Sequence, residues 1–581
     1  MAPGGARRLL LASVALGAAA LYQLFWLLPL ALLLFLPTLW WGHAFLLGLA
    51  GAAFLLLVWV LQPRAAAPPR ELRAEDAPDL HARVHALADA LQSPRVHAIA
   101  LDDELNAGAL ELNRGVSLRP ARRVLILGRP LLAALDTEAV EAVIAHELGH
   151  FSRRHGRLGH WIYNTRQSWL ALSQLNRETD ADSSSWERAG AAFAQGFLPW
   201  FDGLAMPYLR RCEFEADALA ARCVSPVALA RALVLLERLH GPCARVQATV
   251  MRRLMLAHGE PPADLMVQQL AMWRSAADAM PPMAEPVDSQ ATHPPLAQRL
   301  AALHVTAESW PWPRVSAGTV WFGDAWPAVS SEEADPVAAT QRWGMAHRLL
   351  RVLAQATSDA GESAAWRLHR AQVLGLTAPV AVDDATPQAK LLRARFELEA
   401  GRDAAALNLL LAAREPKTAA RDVATIWLVE ARLAADAEQA RRHEAWLKAV
   451  RVRREAALEE MAVARDQGDI GAAPLSAVAL EGLAAAWRGH PVVREVWLFG
   501  QQVSVQHVDY DAAVLLLSVD PAQLVSWGID EDSLTTWAHE LLRWVLVPGQ
   551  LGLVLSRYTT EQGIAPALAQ ALAARPDLRL I

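Results

Sequence analysis

The residues best suited to chemistry lie at positions 145–150, which read Ala-His-Glu-Leu-Gly-His. On a helix, His146 and His150 are four residues apart and project from the same face. Two imidazoles placed in this way can bind one zinc ion, and Glu147 beside them can take a proton from a water molecule in the open coordination position. The alternative is a buried helix whose histidines hydrogen-bond backbone carbonyls, because three fixed positions also recur by chance.

The element that must carry these side chains is well formed in the sequence. Residues 138–144 favour a helix, and either Asp136 or Thr137 can cap its start. The two histidines therefore fall on the last turns of a predicted helix, which is the secondary structure that the pairing requires.

A catalytic zinc needs a third protein ligand, and the strongly helical residues 210–221 offer one. Glu213 and Asp217 share a helix face, so Glu213 can bind the metal while Asp217 accepts a hydrogen bond from the second ring nitrogen of a ligating histidine. Glu215 points elsewhere. Cys212 lies about 100° around the helix from Glu213, which predicts packing. Without the upstream histidines, an ordinary acidic helix face would be the preferred interpretation.

A third motif occupies residues 292–300, Thr-His-Pro-Pro-Leu-Ala-Gln-Arg-Leu. Its two prolines predict a rigid corner that leads into a helix. His293 at this corner could donate a hydrogen bond to the oxyanion of a tetrahedral intermediate. Histidines before paired prolines are usually plain loop residues, so the motif alone does not assign this role.

Together the three motifs resemble those of the membrane zinc metallopeptidases typified by the heat-shock protease HtpX and the CAAX prenyl protease, which form a gluzincin family. The family signatures are A-H-E-L-G-H, R-x-x-E-[FY]-x-A-D and H-P-P-L-x-x-R-[LI], and this chain has them in that order at 145–150, 210–217 and 293–300. Asn106-Ala107 matches the family's Asn-Ala element, near the edge strand that pairs with extended substrate. Leu209 departs from the family, which often has Ser at this position.

The resemblance extends to about Leu303 and implies a site. It implies one Zn²⁺ per chain, held by His146, His150 and Glu213. It also implies Glu147 as general base and His293 as the group that stabilises the transition state. The implied activity is endopeptidase cleavage of protein or peptide substrates, in quality control or processing of membrane proteins. A rival is a pseudo-protease whose C-terminal half acts as a scaffold, and the retained Glu147 argues against it.

Composition narrows the class of protein and of partner. A net charge of -6 and the lack of a basic, aromatic-interleaved patch exclude nucleic acid as an expected partner. The cysteines at 212, 223 and 243 are odd in number and lack paired spacing, so they predict no disulfide framework and fit a reducing compartment.

Residues 9–61 contain no Asp, Glu, Lys or Arg, which predicts two transmembrane helices at about 9–36 and 44–61. Arginines flank both ends, at 7 and 8 and at 64, 70 and 73. The positive-inside rule then places both ends in the cytoplasm, with the hairpin in lipid of a bacterial inner membrane. The rival is a cleaved signal peptide on a periplasmic or secreted peptidase, but residues 22–36 remain apolar beyond any plausible cleavage site.

The predicted fold class is α+β, mainly helical. At 581 residues the chain is too long for one ordinary core, so we expect at least two soluble units. We expect the hairpin at 1–62, a linker at 63–73, a zincin-like metallopeptidase domain at 74–305 and an irregular linker at 306–336. Within the peptidase domain, strands are predicted at 96–101, 108–112 and 123–128. Long helices at 159–175 and 188–209 should pack over the site, where they could touch the membrane surface, because Arg166 and Asp202 would each cost about 2.5–3.5 kcal/mol at a bilayer centre. The alternative is that 159–209 enters the membrane, since relatives can place further spans in this region.

The C-terminal half carries no second catalytic constellation, so substrate selection or protein partners are its expected roles. Residues 337–467 predict helices, either tetratricopeptide-like or a plain bundle. The tetratricopeptide reading rests on the spacing of Ala394, Gly401, Ala406 and Ala413. Residues 468–581 predict a small α/β domain, with strands at 492–499, 512–519 and 551–556 and a helix at 533–545.

Overall fold

The structure is a computed structural model. It describes residues 71–112, 122–151, 185–280, 293–306, 309–323, 336–356, 363–376, 386–414, 437–557 and 564–581, with the single positions 13, 14, 17, 18, 21, 162, 165, 166, 169, 170, 173 and 326. The chain divides into two compact units, residues 1–237 with 288–331 and residues 238–287 with 332–581.

The described residues are mainly helical with small sheets, which confirms that part of the predicted fold class. The strands are β1 (Glu71–Leu72), β2 (Ala98–Asp102), β3 (Ala107–Leu112), β4 (Arg122–Gly128), β5 (Val493–Val505), β6 (Val508–Val519) and β7 (Leu551–Arg557). The helices are α1 (Pro78–Ala90), α2 (Arg129–Ala134), α3 (Thr137–His150), α4 (Ser185–Cys223), α5 (Pro226–Ala257), α6 (Leu265–Ala279), α7 (Leu296–Ala302), α8 (Ala317–Phe322), α9 (Pro336–Gln355), α10 (Ala364–Val373), α11 (Pro387–Glu399), α12 (Asp403–Ala412), α13 (Ala437–Asp466), α14 (Ala477–Trp487), α15 (Pro521–Trp527), α16 (Glu531–Val545) and α17 (Pro566–Ala573).

The first unit contains a four-stranded sheet in the order β1-β2-β4-β3. Strands β2 and β4 are parallel, whereas β3 runs antiparallel to β4. All three lie within two residues of their predicted positions. Strand β1 falls in the region predicted as a linker, because two residues carry no periodicity from which to recognise a strand.

Strand β3 forms the edge of the described sheet, and its first residues are held by a close backbone approach. The amide of Gly128, at the end of β4, donates a hydrogen bond of 2.9 Å to the carbonyl of Asn106. A methyl group at Gly128 would lie 1.7 Å from the carbonyl oxygen of Glu104. Glycine is therefore required here for its lack of a side chain, and it fixes where the Asn106-Ala107 pair enters the edge strand.

Helix α4 joins two segments that the sequence predicts separately, the apolar 188–209 and the acidic 210–221. It runs for 39 residues and contains Pro199 and Pro207. Its first half packs into a cluster with described residues of 162–173 and with Ala18. The indole nitrogen of Trp169 donates to the carbonyl of Ala18 at 3.1 Å.

The second unit has the helix pair and the terminal sheet that the sequence predicts. Helices α11 and α12 pack together through Ala394, Ala406 and Ala413, which are all buried, and Gly401 between them has a φ of +74°. The sheet has the order β5-β6-β7, with β5 and β6 antiparallel and β6 and β7 parallel. Strands β5 and β6 are longer than predicted because Gln506 and His507 form their turn at positive φ without glycine.

The predicted transmembrane helices at 9–36 and 44–61 fall outside the described residues, apart from positions 13, 14, 17, 18 and 21. None of the helices within the described ranges is both long enough and apolar enough to cross a bilayer.

Candidate metal centre

Helix α3 presents the histidine motif from a firmly fixed start. The side chain of Asp136 accepts a hydrogen bond from the amide of Ala139 at 2.9 Å, which resolves the two predicted capping candidates in favour of Asp136. Arg231 then binds Asp136 at 2.9 Å and Glu138 at 3.0 Å. These two ion pairs link the first turn of α3 to α5. They therefore help to fix the position of the helix that carries the histidine motif.

The second half of α4 packs directly against α3 at Gly149. A methyl group at Gly149 would lie 3.4 Å from the Cα of Ala216, which is an ordinary van der Waals distance. This contact places the α4 face that carries Glu213 and Asp217 against the face of α3 that carries the histidines.

Three donor groups converge where the helices meet. The Nε2 atoms of His146 and His150 lie 3.2 Å apart. Glu213 places Oε2 at 3.6 Å from Nε2 of His146 and Oε1 at 3.5 Å from Nε2 of His150. A tetrahedral zinc with bonds of about 2.0–2.2 Å spaces its ligand atoms about 3.3–3.6 Å apart. Two imidazole nitrogens and one carboxylate at these separations fit a zinc ion, and His146, His150 and Glu213 form a group that could hold a metal.

The ring of His146 is supported from behind by a buried chain of charged groups. Its Nδ1 lies 2.9 Å from Oδ1 of Asp217, and both side chains are buried. Arg299 on α7 donates to the same carboxylate twice, from Nη2 to Oδ1 at 2.6 Å and from Nε to Oδ2 at 2.8 Å. Asp217 thus orients the imidazole, and Arg299 orients Asp217.

The sequence does not predict the role of Arg299, which appears there only as one position of the third motif. The available signal was its spacing from His293, since a helix after the corner carries the two residues toward the same neighbour. Its partner on another helix could not be read from one segment.

His293 reaches the centre through Glu213. Its Nδ1 lies 2.6 Å from Oε2 of Glu213, while the side chain remains 61% exposed. A carboxylate has no proton to donate, so Nδ1 must carry the proton in this hydrogen bond. The structure therefore brings the histidine of the third motif into direct contact with a predicted ligand and leaves its Nε2 free for another contact.

The electrostatics of the site favour a cation between the helices. Burial lowers the pKa of His146, but hydrogen bonds that its ring donates to the carboxylates of Asp217 and Glu213 outweigh this effect and raise that pKa to about 9. Burial raises the pKa of Glu213, yet His146 and His293 together hold it well below its usual range. For Glu147, burial raises the pKa, with His146 opposing. Glu213 thus remains a charged carboxylate between the helices, and its negative charge favours a positive charge beside it.

Two neighbouring residues lie where the sequence predicts. Glu215 points away from the centre and pairs with Arg211 at 2.7 Å on the helix surface. Cys212 is buried, and burial raises the pKa of its thiol to about 11, which leaves the thiol protonated. Neither residue belongs to the group of converging donors.

Replacing Arg299 with lysine tests the charged support of His146. Lysine keeps the charge but cannot make two parallel hydrogen bonds to Asp217, so the imidazole loses its fixed orientation. We expect zinc affinity or activity to fall by about 10–100-fold in this variant, and by a similar factor in Asp217→Asn. The measurement is the zinc dissociation constant by competition with a chelating dye.

The matched control is Arg245→Lys, because Arg245 also makes a bidentate pair, with Asp403 at 2.7 and 3.0 Å, in the other unit. That variant should keep its zinc affinity. Equal zinc losses in Arg299→Lys and Arg245→Lys would contradict a specific role for Arg299.

Comparison with known proteins agrees with this geometry. The model of the family described as peptidase family M48 matches residues 74–307. A protease HtpX homolog of Aquifex aeolicus strain VF5 is 29% identical over 184 residues, which are 29% of this chain and 58% of the relative. A protease HtpX homolog of Gemmatimonas aurantiaca is 29% identical over 244 residues, which are 40% of this chain and 77% of that relative. The predicted resemblance to HtpX-type metalloproteases, a class of hydrolases, is thereby confirmed.

Proposed function

Since this chain belongs, through residues 74–307, to peptidase family M48 among metalloproteases of the HtpX type, we propose that it is a zinc-dependent endopeptidase. The observation that carries the proposal is the convergence of His146, His150 and Glu213 at separations that suit a tetrahedral ion. These three residues would hold the zinc. The bound metal would supply a Lewis acid that activates water and polarises the scissile carbonyl.

Glu147 is the general base in this proposal. It lies on α3 between the two histidines, half-buried, and it makes no part of the donor group. In that position its carboxylate can take a proton from the attacking water and later deliver it to the leaving amine.

His293 has two functions in this scheme, and they use different ring nitrogens. Through Nδ1 it donates to Oε2 of Glu213 and so orients a ligand. Through Nε2 it can stabilise an oxyanion only as a donor, which requires the doubly protonated imidazolium.

Extended substrate would pair with β3, the edge of the described sheet that packs against α3. An edge strand offers unpaired amides and carbonyls, to which a peptide can add as a further strand. Leu110 on this strand is 41% exposed, and Ala107 is buried. The substrate backbone would then lie alongside the helix that carries Glu147.

Metal removal tests the proposed chemistry directly. The full chain, purified in detergent, should cleave an unstructured protein such as casein and should lose that activity in 1,10-phenanthroline. Addition of Zn²⁺ should restore cleavage, and metal analysis should give one zinc per chain. Full activity in a chelated sample that contains no metal would overturn the proposal.

We also place the protein in the membrane, with both ends of the hairpin in the cytoplasm. The support is the uncharged run at 9–61 and the arginines that flank it. A green fluorescent protein fused after Arg73 should fluoresce, whereas alkaline phosphatase fused there should be inactive. The opposite pair of results would favour a periplasmic peptidase domain.

A further inference from the structure

Strand β5 forms one edge of the terminal sheet, and part of this edge is covered by other backbone of the same unit. Along an antiparallel pair, every second residue directs both its amide and its carbonyl away from the partner strand. Gly500 is such a residue, because its amide and its carbonyl both bond to Gly471, at 2.8 and 2.9 Å. Val496 is another, and its carbonyl accepts a hydrogen bond from the amide of Leu580 at 2.8 Å.

The same alternation leaves two open backbone positions near the end of the strand. The register between β5 and β6 is continuous from Glu495 to Val505, so Gln502 and Ser504 face outward as Gly500 does. Their amides and carbonyls have no further backbone partner within the described ranges, and both residues are exposed. Open groups of this kind form a template to which an extended chain can add as a further strand.

A groove lies alongside these open positions. It has a volume of about 520 Å³ and is lined by Gln502, Ser504 and residues of α13. Helix α13 packs on one face of the sheet through Ala457 and Met461. A strand added to β5 would therefore continue the sheet and direct every second side chain into the groove.

The groove is acidic, with a small apolar surface. It contains Glu459, Glu460 and Asp469, all of them exposed, and no lysine or arginine lines it. None of the three carboxylates forms an ion pair among the residues that the structure describes. Val463 in the same groove is 59% exposed, and the methylene stem of a lysine or arginine could cover it. These features suit a basic side chain.

A second copy of this chain is a poor occupant for the edge. Pairing β5 with β5 of another copy would bring the acidic grooves of the two copies together. It would also bring together Asp509 and Asp511, which lie opposite Ser504 and Gln502 on β6. Like charges at close range repel, so charge opposes self-pairing and favours a basic partner.

We propose that the open edge of β5 at 502–504, with the groove beside it, binds an extended basic segment of another protein by strand addition. The backbone of that segment bonds to Gln502 and Ser504, and its lysine or arginine side chains at alternate positions pair with the carboxylates of the groove. The site lies outside residues 74–307 and uses no metal, so it goes beyond the proposed peptidase activity.

Fluorescence anisotropy with short peptides tests the chemistry of this site. The protein is the full chain in an uncharged detergent, with Glu147→Gln so that the probe stays intact. The probe is a fluorescein-labelled peptide in which threonine and lysine alternate, and a comparison peptide has glutamate in place of lysine. We expect the lysine peptide to bind and the glutamate peptide to show no binding.

Two further peptides separate strand addition from attraction by charge alone. In one, every lysine carries a methyl group on its backbone nitrogen, and in the other, every threonine does. In an added strand only one of these alternating sets of amides faces β5. One methylated peptide should therefore bind about tenfold more weakly than the other, although their charges are equal.

Ser504→Pro tests the edge from the side of the protein. Proline removes one open amide, and a sheet edge tolerates it because that amide makes no bond to β6. Binding of the lysine peptide should weaken by about tenfold. Ser504→Ala keeps the amide, so binding should change by no more than about twofold.

Removing the charge of the groove is the second protein test. Changing Glu459, Glu460 and Asp469 together to their amides should weaken binding by about tenfold. The matched control removes three exposed carboxylates of the same unit that lie outside the groove, Glu455, Glu481 and Asp532. The control should bind within about twofold of the unchanged groove.

Three results would overturn the proposal. The first is a lysine peptide that does not bind, or that binds the variants and their controls equally. The second is equal affinity for the two methylated peptides, which means attraction by charge without strand addition. The third is a dimer of the chain that Ser504→Pro abolishes, which assigns the edge to a second copy. If Ser504→Pro does not fold, as judged by circular dichroism, the methylated peptides give the same decision without it.

Discussion

Replacing Glu213 with alanine is expected to yield a folded protein that contains little zinc and cleaves no peptide. The variant leaves two imidazoles, which are too few to hold a catalytic zinc firmly. It also removes the acceptor for His293, which lies 2.6 Å from Oε2. The loss should exceed the roughly 10–100-fold typical of groups behind the ligands. Zinc content by mass spectrometry and casein cleavage measure it.

Glu215→Ala is the matched control for this experiment. The residue lies two positions further along the same helix, and its contact is a surface ion pair with Arg211. Such exposed pairs contribute about 0–1 kcal/mol, so zinc content and activity should stay near those of the natural protein. A Glu215→Ala protein that loses zinc beside a Glu213→Ala protein that keeps it would refute the ligand assignment.

Glu147→Gln should abolish measurable hydrolysis while zinc content stays nearly unchanged. Glutamine keeps the size of the side chain but cannot accept the proton of the attacking water, and general base catalysis is worth about 10²–10⁴-fold. Zinc is retained because Glu147 is outside the converging donor group. The readout is the cleavage rate under single-turnover conditions, with zinc measured on the same sample.

Glu141→Gln provides the comparison on the same helix. Glu141 pairs with Arg83 at 2.5 Å on another face of α3, so its loss removes a charge without touching the site. We expect activity close to normal. If Glu147→Gln loses its zinc together with activity, then the proposed role of a base that does not bind metal is wrong.

Much of the site was predictable because its chemistry is written in short-range spacing. A separation of four residues places His146 beside His150, and likewise Glu213 beside Asp217, on any α-helix. Strands β2 to β4 and the helix pair α11–α12 were predictable for a related reason, since hydrophobic periodicity and small residues at packing positions are local properties.

What the sequence could not decide is which separate segments meet. Only the fold brings Glu213 within 3.6 Å of His146 and lets Arg299 bind Asp217, because each of these contacts joins residues of two separate helices. The turn at 506–507 was missed because its residues lack the glycine signal of a tight turn.

Arg166 and Asp202 show most clearly the difference between what the sequence determines and what the tertiary structure decides. Read in sequence, Arg166 and Asp202 are two isolated charges 36 positions apart, each with its own cost of desolvation. In the structure they are one buried ion pair. The sequence determined which groups are present and which helix face each occupies. Only the tertiary structure decided their partners, because the energy of a buried charge depends on what lies within a few ångströms of it.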